Sequence, residues 1–279
     1  MVHKINIFLS AVATAVIMCL CAPINAICRT HVYTVPLFLV GLFAACYLVI
    51  FIVFWLFCGA VSLTINTKKT YTKQSKFYAY LFSLLMEYAT QIASAKITIT
   101  GMEKLPPRNG QKFLFVSNHK STFDTLLQVG AFRGYTMAFI SKPENFSIPL
   151  GHRFMTRCRY MAIDRSDVRS GAKITKLAAD MIKSGDCSVG VYPEGTRNKT
   201  EDILIEFKHG CFKSAVWAQA PIVIGVAHNT AEIHKHFPFG KRTPVHFEIV
   251  ETIPYEKYKG WNTQEISDYV RNRMLERLT

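Results

Sequence analysis

The chain has 279 residues, half of them hydrophobic, and carries 33 Lys plus Arg against 19 Asp plus Glu, a formal charge of +14. That balance points to anionic partners. Its 8 cysteines include no C-x-x-C pair, so their spacings support neither a zinc site nor a disulfide framework, and they read as reduced, mostly packed thiols.

The apolar excess is concentrated at the start. Two uncharged runs, INIFLSAVATAVIMCLCAPI (5–24) and VPLFLVGLFAACYLVIFIVFWLFCGAVSLTI (35–65), each reach the roughly 20 residues that a helix needs to cross a bilayer core. The ten residues between them, NAICRTHVYT, predict a tight hairpin. A cleaved signal peptide fits less well, because Pro23 and Asn25 stand where small residues are required. Lys68, Lys69, Lys73 and Lys76 follow the second run against one Arg in the loop, so the positive-inside rule places both ends of the hairpin in the cytoplasm. The expected location is therefore a membrane, the inner or plasma membrane if the source is bacterial, with the rest of the chain on its cytoplasmic face.

Over 77–92, FYAYLFSLLMEYATQI sets Phe77, Tyr80, Leu81, Leu84, Leu85, Tyr88 and Ile92 at helical spacing. Such a helix either covers the core of the next domain or lies among lipid headgroups. The expected division is a membrane-anchoring hairpin over 1–66, a basic amphipathic interfacial helix over 67–95, and a catalytic domain over 96–279. From Lys96, short β-rich runs alternate with helical ones: KITIT (96–100), KFLFV (112–116), TMAFI (136–140), CSVGVY (187–192), PIVIGVA (221–227) and VHFEIVE (245–251). A helix follows Ser166, striped by Ile174, Leu177, Ala178, Met181 and Ile182 and stopped by Gly185. Another starts at Asn262, where Glu265 completes a capping box. The predicted fold class is a single α/β domain with a mixed, partly parallel sheet flanked by helices, preceded by the hydrophobic helical hairpin.

The stretch SNHKSTFD (117–124) follows KFLFV and so projects from a strand end, where α/β proteins place their sites. His119 and Asp124 would lie about 140° apart on a regular helix and can meet only through a turn, which Ser117, Asn118, Ser121 and Thr122 could make. The carboxylate would then fix the imidazole tautomer and leave the other nitrogen free as a general base. His246 and Glu251 share the same offset, but strand alternation should send them to opposite faces. A second strand runs into Pro193-Glu194-Gly195-Thr196-Arg197, where Arg197 offers a planar fork for phosphate or carboxylate unless it simply pairs with Glu194. Arg165, in Ile163-Asp164-Arg165, and Lys142, after TMAFI, add cations at two further strand ends. One base and three cations suit an anionic substrate with a hydroxyl to be activated.

Together these residues resemble the glycerolipid acyltransferases, the lysophosphatidate acyltransferases in particular. The family's N-H-x-S-x-x-D is matched by Asn118, His119, Ser121 and Asp124, and its K-x-E and P-x-x-G by Lys142, Glu144, Pro149 and Gly151. I-D-R falls on 163–165, P-E-G-T-R on 193–197, and F-K-x-G on Phe207, Lys208 and Gly210. Two departures stand out: Arg159 replaces a usual glycine, which could alter the donor or headgroup pocket, and Ile224 replaces a usual proline.

The resemblance implies direct acyl transfer from a thioester, either acyl-CoA or acyl carrier protein, to the sn-2 hydroxyl of lysophosphatidate. His119 would be the base and Asp124 its orienter. Lys142, Arg165 and Arg197 would grip phosphate, with Glu194, Gly195 and Thr196 shaping that pocket. It implies no metal and no cofactor beyond the acyl donor, with membrane lipids as partners. Glycerol 3-phosphate or another lysolipid is the alternative acceptor, and a non-catalytic lipid-binding membrane protein of the same fold is the alternative from another class. Nucleic acid is disfavoured by the membrane hairpin and the lack of a binding module; a hydrolase is disfavoured because G-x-S-x-G is absent.

Overall fold

The computed structural model describes residues 2–20, 35–164, 167–236 and 241–279, so Arg165 and the turn expected between the two apolar runs lie outside the described residues. The chain divides into two compact units, Met1–Thr64 and Ile65–Thr279.

The first unit contains helices α1 (Val2–Leu20) and α2 (Val35–Leu63), both long and apolar enough to cross a membrane. Their packing reverses the order of a soluble core. Asn6, Ser10 and Thr14, four residues apart on α1, are buried, whereas Phe8, Leu9, Val12 and Val16 are exposed. Ser10 and Thr14 return their hydroxyls to the carbonyls of Asn6 (2.6 Å) and Ser10 (2.7 Å). Asn6 Nδ2 reaches the Tyr47 carbonyl at 3.5 Å, and His3 Nδ1 lies 3.0 Å from the Tyr47 hydroxyl. Small polar residues inside and hydrocarbon outside are what a lipid environment selects.

The second unit is built on a seven-stranded sheet in the order β1-β7-β6-β2-β5-β3-β4. In chain order its elements are α3 (Lys76–Ile92), β1 (Ala95–Thr100), β2 (Leu114–Ser117), α4 (Thr122–Ala131), β3 (Met137–Ser141), α5 (Gly151–Arg157), β4 (Met161–Ala162), α6 (Val168–Lys183), β5 (Ser188–Val191), α7 (Lys213–Ala218), β6 (Ile222–His228), β7 (Thr243–Ile253) and α8 (Thr263–Leu278). The pairs β2–β5, β2–β6, β3–β5 and β3–β4 are parallel, and β1–β7 is parallel too, but β6–β7 is antiparallel. The carboxyl ends of five strands therefore open onto one edge.

Both faces of the sheet are covered, which is why β2 and β5 read as unbroken apolar runs. Leu114 and Val116 face the cluster formed with Ala178, Ile182, Phe212, Val270 and Met274 of the flanking helices. On the other face Phe115 packs against Phe132, Phe139 and Phe247. Glycine makes that aromatic layer possible: a Cβ on Gly190 would fall 2.4 Å from the Phe139 ring, and one on Gly225 would fall 2.6 Å from Phe115. α3 buries Leu81, Phe82, Leu85 and Tyr88 in this unit while Phe77 and Tyr80 stay exposed.

Two features differ from expectation. β4 is a seventh strand, only two residues long, too short for any periodicity to reveal. Strict alternation also fails in β7, which bulges at Val250 opposite Ile224 and Gly225 of β6, where Gly225 pairs with Ile249 and Ile224 with Glu251. Glu248 and Glu251 consequently reach the same helix, α8, through Arg277 and Arg273. His246 and Glu251 still do not meet. His246 Nε2 lies 2.8 Å from the Thr100 hydroxyl, and Glu251 is held by Lys257, Tyr269 and Arg273.

Candidate active site

β2 delivers Ser117, Asn118 and His119 to the carboxyl edge. The Asn118 amide continues the β2–β6 ladder by one rung: Nδ2 donates to the Ala227 carbonyl (2.9 Å) and the Ala227 N–H donates to Oδ1 (2.8 Å). Ser121 then caps α4, its hydroxyl accepting from the Phe123 N–H at 3.2 Å, while Asp124 at the third helical position reaches back. Asp124 Oδ2 accepts from the N–H groups of Ser121 (2.7 Å) and Lys120 (2.8 Å) and lies 2.9 Å from His119 Nδ1. One carboxylate is thus both helix cap and imidazole partner. The five-residue offset closes because the helix starts at Thr122, leaving His119 outside it.

Nδ1 donates to an acceptor-only carboxylate, so Nε2 carries the lone pair. The His119 side chain is 12% exposed and that of Asp124 fully buried. Asp124 Oδ1 accepts from the hydroxyl of Thr230, itself buried. Thr230 stands just after β6, where Asn229 adopts a left-handed φ of 61° and turns the chain inward. It lies 106 residues from Asp124, and no local spacing could have found it.

The 193–198 loop grips His119 by its backbone. Glu194 Oε1 accepts the His119 N–H at 2.6 Å and the Asn198 N–H donates to the His119 carbonyl, also at 2.6 Å. Glu194 Oε2 takes the Ile205 N–H at 3.3 Å. Burial raises the Glu194 carboxyl above its ordinary range, opposed by those two backbone donors and by Lys120. Both Glu194 oxygens are occupied, so any shaping of a pocket by this residue runs through the backbone it holds. Gly195 turns the loop at φ 70°, Thr196 is exposed, and Lys208 ties the loop down through its N–H to the Pro193 carbonyl at 2.7 Å.

Arg197 is exposed beside this assembly, its Nη1 donating to the Thr122 hydroxyl at 2.9 Å, and it makes no pair with Glu194. The structure therefore brings His119, Asp124, Glu194, Gly195 and Arg197 together. Lys142 stands exposed after β3 on the same edge. Other nucleophiles are unfavourable. The Ser121 hydroxyl is buried as a cap, and burial pushes the Cys158 and Cys211 thiols up to about 12.

Among the described residues, His228, His246 and Glu248 form one cluster of possible metal ligands. Glu248 is already paired through both oxygens with Arg277, at 2.7 and 3.2 Å.

Residues 96–226 match the family model described as Acyltransferase. The chain is 32% identical over 183 residues to the chloroplastic 1-acyl-sn-glycerol-3-phosphate acyltransferase of Brassica napus, covering 65% of this chain and 50% of the relative. It is 24% identical over 188 residues to the 1-acyl-sn-glycerol-3-phosphate acyltransferase of Borreliella burgdorferi, covering 67% and 73%. The chain thus spans half the length of the plant relative. Its fold is similar to the crystal structure of the 1-acyl-sn-glycerophosphate acyltransferase PlsC from Thermotoga maritima, with a TM-score of 0.55 and 22% identity over 71% of this chain and 77% of that one.

Proposed function

We propose, from the match of residues 96–226 to the acyltransferase family model, that the chain transfers an acyl chain from a thioester to the sn-2 hydroxyl of 1-acyl-glycerol 3-phosphate, giving phosphatidic acid. The observation that carries this reading is the His119–Asp124 pair at 2.9 Å, which engages Nδ1 of a partly exposed imidazole while Arg197 is held nearby on Thr122, the first residue of α4.

His119 Nε2 accepts the proton of the acceptor hydroxyl as its oxygen attacks the thioester carbonyl. Asp124 stabilises the imidazolium that forms. Collapse of the tetrahedral intermediate expels the thiolate, which regains the proton from His119. A thioester is already activated, so no acyl-enzyme is required. Arg197, Lys142 and Arg165 supply charge for the acceptor phosphate, the first offering a fork that matches phosphate oxygens. Glu194 and Asn198 fix the backbone from which His119 projects.

The donor is acyl-CoA or acyl carrier protein, both anionic and both suited to the nine Lys or Arg between 142 and 183. The membrane is the proposed location, with the catalytic unit on its cytoplasmic face beside Lys68, Lys69, Lys73 and Lys76.

The test is acyl transfer by the purified full chain in detergent. Labelled acyl-CoA or acyl carrier protein would be offered with lysophosphatidate or glycerol 3-phosphate, and His119→Ala run in parallel. Phosphatidic acid formed by the wild type and lost in the variant is the expected result. Product from glycerol 3-phosphate alone would replace the acceptor and keep the chemistry. No product from folded protein with any combination would overturn the reading.

A further inference from the structure

β5 ends on Val191, and the next residue, Tyr192, leads into the 193–198 loop and is 8% exposed. Its ring lies against the His119 imidazole with centroids 4.0 Å apart and planes inclined by 12°. The Tyr192 hydroxyl donates to Gln128 Oε1 at 2.8 Å and lies 2.9 Å from the Thr125 hydroxyl. Both partners belong to α4, one and four positions after Asp124. Gln128 Nε2 in turn donates to the Ser117 hydroxyl (2.8 Å), and that hydroxyl donates to Asn118 Oδ1 (3.3 Å). The helix that presents a carboxylate to the edge of the imidazole therefore also anchors the ring against its face.

An imidazole held at one nitrogen can still swing about its hydrogen bond, and its Nε2 lone pair would sweep with it. A parallel ring in van der Waals contact blocks that motion. We propose that Tyr192 is a positioning residue for His119, setting the plane of the imidazole while Asp124 sets its rotation within that plane; this rests on His119 being the base. The hydroxyl serves the ring rather than the reaction. Burial, reinforced by the Asp124 charge, holds it well above the ordinary tyrosine range, so it stays protonated at neutral pH. The working part is the aromatic face, and phenylalanine retains it.

Rate is steeply sensitive to aim, since a misplacement of about 1 Å can cost about 100-fold. The expected result for Tyr192→Leu, and for Tyr192→Met as a second non-aromatic variant, is a kcat lowered by about 10- to 100-fold with KM for both substrates nearly unchanged. Tyr192→Phe should stay within about threefold of wild type, because the ring remains. A second readout needs no variant of Tyr192 to fold. In the wild-type chain with ring-labelled histidine, in micelles, the His119 carbon-bound proton signals, identified by their loss in His119→Ala, should be displaced upfield by the tyrosine ring current. In Tyr192→Phe they should stay there.

An ordinary His119 shift in the wild type would overturn the proposal. So would Tyr192→Leu turning over at the wild-type rate beside an inactive His119→Ala, or Tyr192→Phe failing as badly as Tyr192→Leu. A fully active His119→Ala would instead overturn the base assignment itself, and the positioning role with it. The two failures are thereby separated.

Discussion

Thr230→Val isolates the contact that no local pattern announces. Valine keeps the shape of threonine and deletes the hydroxyl that donates to Asp124 Oδ1. Oδ2 has three donors of its own, from His119, Lys120 and Ser121, but Oδ1 has no other among the described residues. The substitution thus leaves one oxygen of a fully buried carboxylate without a partner. A hydrogen bond to a charged group contributes about 1.5–3 kcal/mol. At about 2–4 °C per kcal/mol for a chain of this size, the melting temperature of the full chain in detergent should fall by about 3–12 °C. Catalysis should suffer less, with kcat down by no more than about tenfold, the mild end of what outer partners of a functional histidine cost. Thr230→Ser, which keeps a hydroxyl, should recover most of the loss. The assay pairs thermal unfolding, followed by near-ultraviolet circular dichroism, with initial rates of acyl transfer. A Thr230→Val melting temperature within about 1 °C of wild type would refute the claim that this hydroxyl satisfies Asp124.

Asp124→Asn should be far more harmful to rate than Thr230→Val, lowering kcat by about 10³–10⁴-fold as the amide disturbs the tautomer that leaves Nε2 free; initial rates at saturating substrate check this. Arg197→Ala should raise KM for the phosphorylated acceptor by about 10- to 100-fold through loss of charge-assisted hydrogen bonds, with kcat changed less; a substrate titration separates the two. Glu194→Gln should alter the pH dependence of stability. The folded state holds the Glu194 proton more tightly than the unfolded chain does, so this group's contribution is fullest below the unfolded carboxyl range and is lost as pH rises through the raised folded value. Melting temperatures at pH 7 and near pH 4.5 should show the wild type gaining on the variant as pH falls, and a gap that widens the other way would contradict the shift.

What could be read from the sequence was whatever chemistry is contiguous. SNHKSTFD carries its strand end, its cap and its carboxylate within eight residues, and Asn262 with Glu265 announces the start of α8 in the same way. The mixed sheet was legible because short β-rich runs alternate with helical ones. Long-range contacts were not. Thr230 is an unremarkable residue after a strand until the fold carries it to Asp124, and Tyr192 reads as the last residue of the apolar run CSVGVY until its ring is seen against His119. The β7 bulge was hidden for a related reason: Val250 and Glu251 look like two steps of one alternation, and only the partner strand reveals the extra residue. The buried Asn6–Ser10–Thr14 stripe of α1 was overlooked because mean hydropathy averages over both faces of a helix.

Arg159 shows how a departure from a family pattern acquires a physical reason. It adopts φ 59°, a left-handed conformation that costs a non-glycine residue about 1–2 kcal/mol, which explains why glycine is usual there. Its guanidinium pairs with Asp186. The other Asp186 oxygen accepts the Gln74 N–H at 2.8 Å, and the Gln74 side chain donates to the carbonyls of Met137 (2.7 Å) and Cys158 (2.6 Å). These contacts tie the segment leading into α3 to the starts of β3 and β5. Arg159 and Asp186 precede β4 and β5, so the charge sits at the amino edge of the sheet, whereas His119, Asp124 and Arg197 stand at the carboxyl edge. The arginine that the sequence suggested as a modifier of the donor or headgroup pocket thus acts on the opposite edge, where its ion pair offsets the backbone strain that glycine would have avoided.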